Sequence, residues 1–209
     1  MRLFKRNRKD HWERIYRKHA PAEVGWHQAN PVKSLHLIHK TGAGKDSRII
    51  DVGGGTSKLP QYLLHQGYKK IAVLDISENA IEKAKLQLGE LSNRIDWIKA
   101  DITKHRFRAY FDIWHDRAVF HFLTKRDDRK GYVHSLNQAL MRNGHLIIAT
   151  FGIDGPAKCS GLPVVRYSRE TLQNELGDNF HLEEALVEDH VTPSETKQQF
   201  IFCRFIKLK

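Results

Sequence analysis

Cysteine is scarce in this chain, and long hydrophobic runs are missing from it. The 209 residues include only two cysteines, Cys159 and Cys203, and their separation matches neither a disulfide framework nor a metal-binding pattern. No apolar run approaches the roughly 20 residues of a membrane-spanning helix, and the charged N-terminus lacks the apolar core of a signal peptide. We therefore expect a cytoplasmic protein with no membrane partner and no metal site.

Acidic residues are outnumbered by basic ones. Lys and Arg total 35 against 24 Asp and Glu, which gives a net charge of +11. Residues 1–19 hold eight of the basic residues and two of the acidic ones. Such an arm is compatible with RNA or an acidic protein surface, but also with the solvated face of a helix. Because no recognisable RNA-binding module accompanies it, a nucleic-acid partner is compatible with the sequence but not established.

The order of predicted elements indicates one α/β domain spanning residues 1–209. Residues 1–45 are predicted to be helical, with breaks at Ala20-Pro21 and Asn30-Pro31, and to cap a core formed by residues 46–209. Within that core strands alternate with helices, which is typical of a doubly wound, mostly parallel sheet with helices on both faces. Strands are predicted at about 48–52, 70–75, 95–98, 111–115 and 144–150, and helices at about 78–88, 126–141 and 168–176.

The last forty residues break this alternation. Two β-rich stretches, at about 179–191 and 197–207, are separated by a short turn. A connection that short forces the two strands to run antiparallel. The predicted sheet therefore ends in a C-terminal antiparallel hairpin.

The segment RIIDVGGGTSKL, residues 48–59, is the most informative part of the sequence. An apolar strand ends in Asp51, and the three glycines at 53–55 precede Thr56 and Ser57, which are candidate helix caps. A strand, a tight glycine turn and a helix start form the ligand-binding corner of a doubly wound sheet. Because a carboxylate repels a pyrophosphate and attracts a cation, Asp51 favours a cationic amino-acid ligand.

Three later strands also end in polar residues. Asp75 follows the second strand, where its carboxylate could accept hydrogen bonds from both hydroxyls of a ribose, or could instead cap the helix that begins near Ser77. Asp101 follows the third strand, and His115 and Asp116 end the fourth. Carboxyl ends of parallel strands meet at one edge of a sheet, so these residues are expected to share a site.

Taken in order, these strand ends resemble the motifs of the class I S-adenosylmethionine (SAM) methyltransferases. The D-x-G-x-G spacing of residues 51–55 is similar to their first motif, although Ser57 stands where the fuller pattern has another glycine. The resemblance covers residues 45–209 and implies a seven-stranded sheet and SAM as cofactor. It implies cofactor binding by Asp51, Gly53, Gly54, Gly55, Asp75, Ile76, Asp101, Ile102 and His115.

The resemblance also implies individual roles. The glycine turn would lie against the methionine part of SAM, and Ile76 against the adenine face. Asp101 would accept the adenine amino group, with Ile102 beside the ring. An exposed loop aspartate remains an alternative for Asp101.

Methyl transfer from a sulfonium is an in-line displacement that requires alignment, exclusion of water and, for a protonated nucleophile, removal of a proton. His115 and Asp116 are the catalytic candidates. Trp26 is equally explained by core packing and His121 by a structural role, while Cys159 is better explained as a small apolar filler than as a nucleophile. The substrate candidates are Trp26, His121, Arg166 and Tyr167.

The acceptor is left open by the sequence. Neither an [N/D]-P-P-[Y/F] run nor a Pro-Cys pair follows the fourth strand, which disfavours two kinds of nucleic-acid methylation. A protein side chain, such as a lysine, and a small molecule both remain. The alternatives to a methyltransferase are a non-catalytic SAM- or RNA-binding module and, less favoured, an NAD(P)-dependent oxidoreductase.

Overall fold

A computed structural model describes residues 7–209, and Arg2, Lys5 and Arg6 of the basic arm lie outside the described residues. The helices are α1 (Arg8–Lys18), α2 (Val32–Lys40), α3 (Leu59–His65), α4 (Glu78–Leu88), α5 (Arg126–Ala139) and α6 (Arg169–Leu176). The strands are β1 (Arg48–Val52), β2 (Lys70–Asp75), β3 (Ile95–Lys99), β4 (Phe111–Arg117), β5 (Leu140–Phe151), β6 (Lys158–Cys159), β7 (Leu162–Pro163), β8 (Phe180–Val191) and β9 (Lys197–Lys207).

Seven strands form the central sheet in the order β3-β2-β1-β4-β5-β9-β8. The first five in chain order pair in parallel, whereas β9 pairs antiparallel with both β5 and β8. The predicted fold class, including the C-terminal hairpin and the helices before β1, is confirmed. The strand order reverses between β1 and β4, and ligands of open α/β sheets bind in the crevice at such a switch point.

Alternation along each strand builds two cores, one on each face of the sheet. Ile50 of β1 faces the core that contains residues of α5 and α6, whereas its neighbour Ile49 faces the core that contains residues of α2 and α3. Successive side chains of a strand point to opposite faces, so a strand buried on both sides is apolar throughout. Both cores are therefore anticipated by the apolar runs of the sequence.

The end of α5 differs from its prediction. The sequence predicts a helix to residue 141 that is stopped at Asn143-Gly144, but α5 ends at Ala139 and β5 begins at Leu140. Leu140 is buried and pairs with Phe111 of β4, so sheet pairing competes successfully with the helix. Asn143, with φ of 61°, then makes a bend within β5 before its regular pairing resumes.

The N-terminal breaks fall where the two prolines predict them. α1 ends at Lys18 and α2 begins at Val32, so Ala20-Pro21 and Asn30-Pro31 lie between the helices. α1 packs against α4, and α2 covers part of the sheet through Leu35 and Ile38. Within residues 7–209, no helix has the length and apolar character needed to cross a membrane.

Candidate functional site

The glycine turn after β1 is held tightly against its surroundings. The amide of Gly53 donates to the carbonyl of Leu74 in β2, at 2.6 Å. Gly53 has φ of 64°, and a Cβ there would collide with Val119. Gly55 has φ of 41°, and a Cβ there would lie 2.6 Å from the hydroxyl of Tyr16. Positive φ and close contacts together require glycine at both positions.

Asp51 belongs to a buried hydrogen-bonded chain that joins three elements. Its Oδ1 lies 2.7 Å from Nδ1 of His115 in β4, and Nε2 of that ring lies 2.8 Å from the hydroxyl oxygen of Ser34 in α2. An ionised carboxylate only accepts, so Nδ1 carries the proton. The other oxygen, Oδ2, is buried without a hydrogen-bond partner, and a Cβ on Gly54 would lie only 2.7 Å from it.

A cavity opens at the carboxyl ends of β1 to β4. Asp75 lies in its wall, where Oδ1 accepts a hydrogen bond from the amide of Ser77 at 2.8 Å. Burial, assisted by repulsion from Asp51, raises the pKa of Asp75 to about 7, although hydrogen bonds from backbone amides oppose the rise. Asp75 therefore holds the amide of Ser77, whose own side chain caps α4, and faces the cavity at the same time. The predicted cofactor residues that line this cavity are Gly53, Asp75, Ile76, Asp101 and Ile102.

The other predicted cofactor residues lie beside this cavity. Asp51, Gly54 and His115 line a smaller adjoining cavity beneath α2, and Gly53 borders both. Gly55 lines neither, because Tyr16 covers it. The structure thus brings the strand-end residues together as two adjoining groups.

Asp101 is held by an ion pair that the sequence alone did not indicate. Its Oδ1 accepts hydrogen bonds from the amide and the hydroxyl of Thr103, at 3.0 and 2.8 Å. Arg8 of α1 contacts the same oxygen at 3.3 Å and binds Asp128 of α5 at 2.6 Å. Arg8 therefore ties α1 to the far end of the cavity.

Helix α1 closes the cavity from outside the sheet. Trp12 and Tyr16 line it together with Trp26, whose ring packs edge-on against Trp12. Glu13 accepts hydrogen bonds from the amides of Glu78 and Asn79 and from two side chains at the start of α4. Although burial opposes it, these hydrogen bonds lower the pKa of Glu13. A carboxylate at a helix N-terminus is also favoured by the helix dipole.

Residues of β4 and β9 form the end of the cavity that lies opposite Asp101. Arg117, the last residue of β4, donates from Nη1 to the carbonyl of Trp26 at 2.8 Å. Its guanidinium carbon lies 4.7 Å from the ring centroid of Phe200 in β9. Cys159 and Gln198 line the same end. Burial raises the pKa of the Cys159 thiol, which keeps it protonated at neutral pH.

Asp116 and His121 lie in the interior, outside the lining of both cavities. Asp116 accepts hydrogen bonds from the hydroxyl of Tyr132 at 2.7 Å and from the amide of Val119 at 2.9 Å, and burial raises its pKa to about 6. His121 accepts from the amide of Phe151, and burial lowers its pKa to about 3. The geometry gives both side chains structural partners, and their predicted roles stay predictions.

The remaining substrate candidates are divided by the structure. Trp26 lines the larger cavity, whereas Arg166 and Tyr167 do not. Arg166 donates to the carbonyls of Ile153 and Gly155, so it organises its own loop. Tyr167 is buried in the core beside α6. The His, Cys, Asp and Glu side chains between residues 7 and 209 form no cluster of three that could hold a metal ion.

Several cavity residues were not singled out from the sequence. Arg117 ends an apolar strand, as Asp75 does, so the same reasoning could have found it. Arg8, Trp12 and Tyr16 come from α1, about thirty residues before β1, and no local pattern identifies which residues of that helix reach the cavity. Gln198 and Phe200 belong to β9, where only the antiparallel pairing with β5 brings them near β4.

A seven-stranded sheet of this order, with a glycine turn after β1 and acids at the ends of β2 and β3, defines the fold of the class I SAM-dependent methyltransferases. SAM is the cofactor of this class. Residues 50–148 match a family model described as a methyltransferase domain.

Two curated relatives illustrate the range of similar proteins. The chain is 26% identical over 111 residues to an eEF1A lysine and N-terminal methyltransferase of Mus musculus, covering 53% of this chain and 16% of that protein. It is 30% identical over 132 residues to a malonyl-[acyl-carrier protein] O-methyltransferase of Ilyobacter polytropus, covering 63% and 46%. The chain therefore spans less than half the length of either relative.

Solved structures agree with the fold. The N-methyltransferase NodS from Bradyrhizobium japonicum, in complex with S-adenosylhomocysteine (SAH), superposes with a TM-score of 0.72 at 18% identity, covering 96% of this chain and all of that one. A structure described under the conversion of a disulfide bond into a thioacetal group during echinomycin biosynthesis superposes with a TM-score of 0.74 at 20% identity, covering 94% and 91%. At these identities the likeness concerns the fold.

The residues of the two adjoining cavities fit SAM in chemical type. Asp75 offers a carboxylate for ribose hydroxyls, and Ile76 and Ile102 offer apolar surface for a ring. The buried, unpartnered Oδ2 of Asp51 is an acceptor beside the glycine turn, suited to a cationic group. When bound, SAM supplies a methyl group on a cationic sulfur.

Proposed function

We propose that this protein is a SAM-dependent methyltransferase that transfers a methyl group to a nucleophilic acceptor by in-line displacement. The observation that supports this most strongly is the convergence of Gly53, Asp75 and Asp101, from the ends of three successive strands, around one cavity. That cavity continues to a second group of side chains, which gives an acceptor room beside the cofactor residues.

In this proposal some of the described residues bind the cofactor and others exclude water. Asp75 accepts hydrogen bonds from the ribose hydroxyls, Asp101 holds the adenine amino group, and Asp51 attracts the ammonium group. Trp12 and Trp26 exclude water from the reacting atoms, which the displacement requires because water competes with the acceptor.

The geometry does not single out a side chain as the base that would remove a proton from the acceptor. His115 is engaged at both ring nitrogens and Asp116 at both carboxylate oxygens. An acceptor that is already deprotonated, such as a carboxylate, needs no general base, whereas a protonated amine must first lose a proton. The catalytic roles of His115 and Asp116 are therefore proposals that hold only for a protonated acceptor.

The acceptor is proposed to be a protein side chain, such as a lysine, or a small molecule. The similar proteins include methyltransferases named for each kind of acceptor. The cytoplasmic location stays a prediction. A nucleic-acid partner gains no support from the described part of the basic arm, where Arg8 is engaged by Asp101 and Asp128.

Incubation with methyl-labelled SAM and cell lysate, followed by separation of protein, RNA and small-molecule fractions, tests this function. We expect label in the protein or the small-molecule fraction, and none when Asp75→Ala replaces the wild-type chain. SAM binding without label in any fraction would favour a non-catalytic module. Binding of a nicotinamide cofactor in place of SAM would favour an oxidoreductase and overturn the proposal.

A further inference from the structure

Arg117 is held rigidly at the acceptor end of the larger cavity. Nη1 is anchored by the carbonyl of Trp26, and the planar guanidinium lies against the ring of Phe200. Stacking on an aromatic face and a fixed hydrogen bond remove most of the rotamer freedom of an arginine. The remaining edge of the guanidinium is thus held in one orientation before any ligand arrives.

That remaining edge has no partner. Nε and Nη2 are both covered from solvent, and neither forms a hydrogen bond. Among residues 7–209 no carboxylate forms an ion pair with Arg117, although Glu188 and Asp51 influence it from a greater distance. Burial lowers the pKa of Arg117 to about 10, so it remains a cation at neutral pH. A covered cation with two unused donors is costly unless a ligand pairs with it.

The geometry of the unused atoms indicates what that ligand is. Nε and Nη2 form the side edge of the guanidinium fork, which matches the two oxygens of a carboxylate in a bidentate arrangement. The surrounding wall is apolar and aromatic, with Trp12, Trp26, Phe122 and Phe200. A ligand that fills this end therefore combines an apolar body with one anionic group.

Arg117 is separated in the sheet from Asp75 and Asp101, although it also lines the smaller cavity together with Asp51 and His115. Asp75 and Asp101 follow β2 and β3, on one side of the switch point between β1 and β4. Arg117 ends β4, and the neighbouring Phe200 and Gln198 belong to β9, on the other side of that point. Because Phe200 and Gln198 hold the guanidinium on the β9 side of the larger cavity, we assign the anionic group to the acceptor, and the cofactor's own carboxylate is the competing ligand that the test below distinguishes.

We propose that Arg117 binds a carboxylate of the methyl acceptor, and that the acceptor is a small organic acid with an aromatic or other apolar body. This inference rests on the proposed function, since it assigns the acceptor of the same site. It also separates the two acceptor classes left open above, because a lysine side chain carries the opposite charge.

Calorimetry on the protein saturated with SAH, titrated with matched acid and amide pairs, tests the proposal. The probes are phenylacetate and phenylacetamide, benzoate and benzamide, and indole-3-acetate and indole-3-acetamide. We expect at least one acid to bind about tenfold or more tightly than its amide, because an unpaired guanidinium rejects the neutral analogue. Arg117→Met should abolish this preference, and Arg117→Lys, which keeps the charge but loses the fork, should retain part of it.

Control measurements distinguish failure of the carboxylate-binding inference from failure of the proposed function. Arg142→Met removes the same charge from an exposed position on β5 and should leave the preference intact. SAH affinity should be equal in wild type and Arg117→Met, which also shows that the variant folds.

Equal binding of acids and amides across all three pairs overturns the inference alone. Loss of SAH affinity in Arg117→Met would assign Arg117 to the carboxylate of the cofactor instead, and absence of SAH binding in wild type would overturn both proposals.

Discussion

At the scale of single residues, the site depends on carboxylates that are buried before any ligand binds. Asp75 is the clearest example, because its pKa is raised from 3.8 to about 7 by burial and by the nearby Asp51. A folded-state pKa above the ordinary value means that ionised Asp75 destabilises the ligand-free protein. This cost is absent at low pH, grows between the two pKa values, and is complete above about pH 7.

Asp75→Asn should therefore stabilise the ligand-free protein while removing cofactor binding. We expect the free energy of unfolding to rise by about 1–3 kcal/mol at pH 8, and the gain to vanish near about pH 4, where the wild-type carboxyl is protonated. Urea unfolding at both pH values measures this. Calorimetry should show about a hundredfold loss of SAH affinity.

Asp96→Asn is the matched control, since Asp96 is exposed on β3. It should change neither the unfolding free energy nor SAH affinity appreciably. If Asp75→Asn were destabilising at pH 8, the buried carboxylate would have to be better compensated than its position indicates.

His115 offers a second test at this scale, because its ring joins Asp51 to Ser34. His115→Ala leaves Oδ1 of Asp51 buried without its donor, and a buried carboxylate that loses a hydrogen-bond partner typically costs about 2–3 kcal/mol. Ser34→Ala removes only the far end of the chain and should cost about 1 kcal/mol. Urea unfolding of the two variants compares these losses.

The same variants bear on the catalytic prediction for His115. A positioning role predicts that SAH affinity and stability fall together in His115→Ala. A variant of near wild-type stability and SAH affinity, but with greatly reduced methyl transfer, would instead indicate contact with the acceptor.

At the scale of elements, α1 is the part of the fold that covers the site. No described residue of α1 belongs to either core. Trp12 packs on Trp26 and Phe122, and the helix is fastened by Glu13 at the start of α4 and by Arg8 at Asp101 and Asp128. Charged hydrogen bonds of this kind are individually modest, so α1 is expected to open without unfolding of the sheet.

Glu13→Gln should loosen α1 selectively. The neutral side chain loses the charge-assisted hydrogen bonds to the amides of Glu78 and Asn79, and the favourable interaction with the dipole of α4. We expect amide hydrogen exchange across residues 8–18 to accelerate about tenfold, with exchange in β1 and β4 unchanged.

Asp10→Asn is the control for this measurement, because Asp10 lies exposed in the first turn of the same helix. It should leave exchange in α1 nearly unchanged. Equal acceleration in the two variants, or acceleration that extends to the sheet, would contradict a fastening role for Glu13.

At the scale of the whole molecule, cofactor binding and stability are linked. A ligand that binds only the folded state stabilises it in proportion to its concentration above Kd. SAH at about 100 times its Kd should add about 2.7 kcal/mol, which corresponds to a rise in Tm of about 5–10 °C for a domain of this size. Differential scanning calorimetry measures the shift.

A nicotinamide dinucleotide at the same concentration should leave Tm unchanged, because Asp51 disfavours a pyrophosphate at the glycine turn. Asp75→Asn, with affinity about a hundredfold lower, should shift by only about 1 °C with SAH at this concentration. A larger shift with the dinucleotide than with SAH would exclude the proposed function.

Much of the architecture was predictable from local pattern. The five parallel strands, the hairpin β8–β9 and the breaks between α1 and α2 follow from apolar runs and prolines, because these act over a few residues. The end of α5 was not predictable in this way, since Leu140 is recruited by its pairing with Phe111, about thirty residues away in sequence.

The candidate site likewise has features that the sequence predicts and features that only the fold determines. Amino-acid sequence alone determined the glycine turn, the acids that end β1 to β3 and the cationic ligand they favour, since each follows directly from an apolar strand. Tertiary structure alone decided that His115 is bonded to Asp51 and Ser34, which residues of α1 line the cavity, and that one edge of Arg117 is left without a partner. Contacts between distant segments depend on how the chain packs, and no local pattern records them.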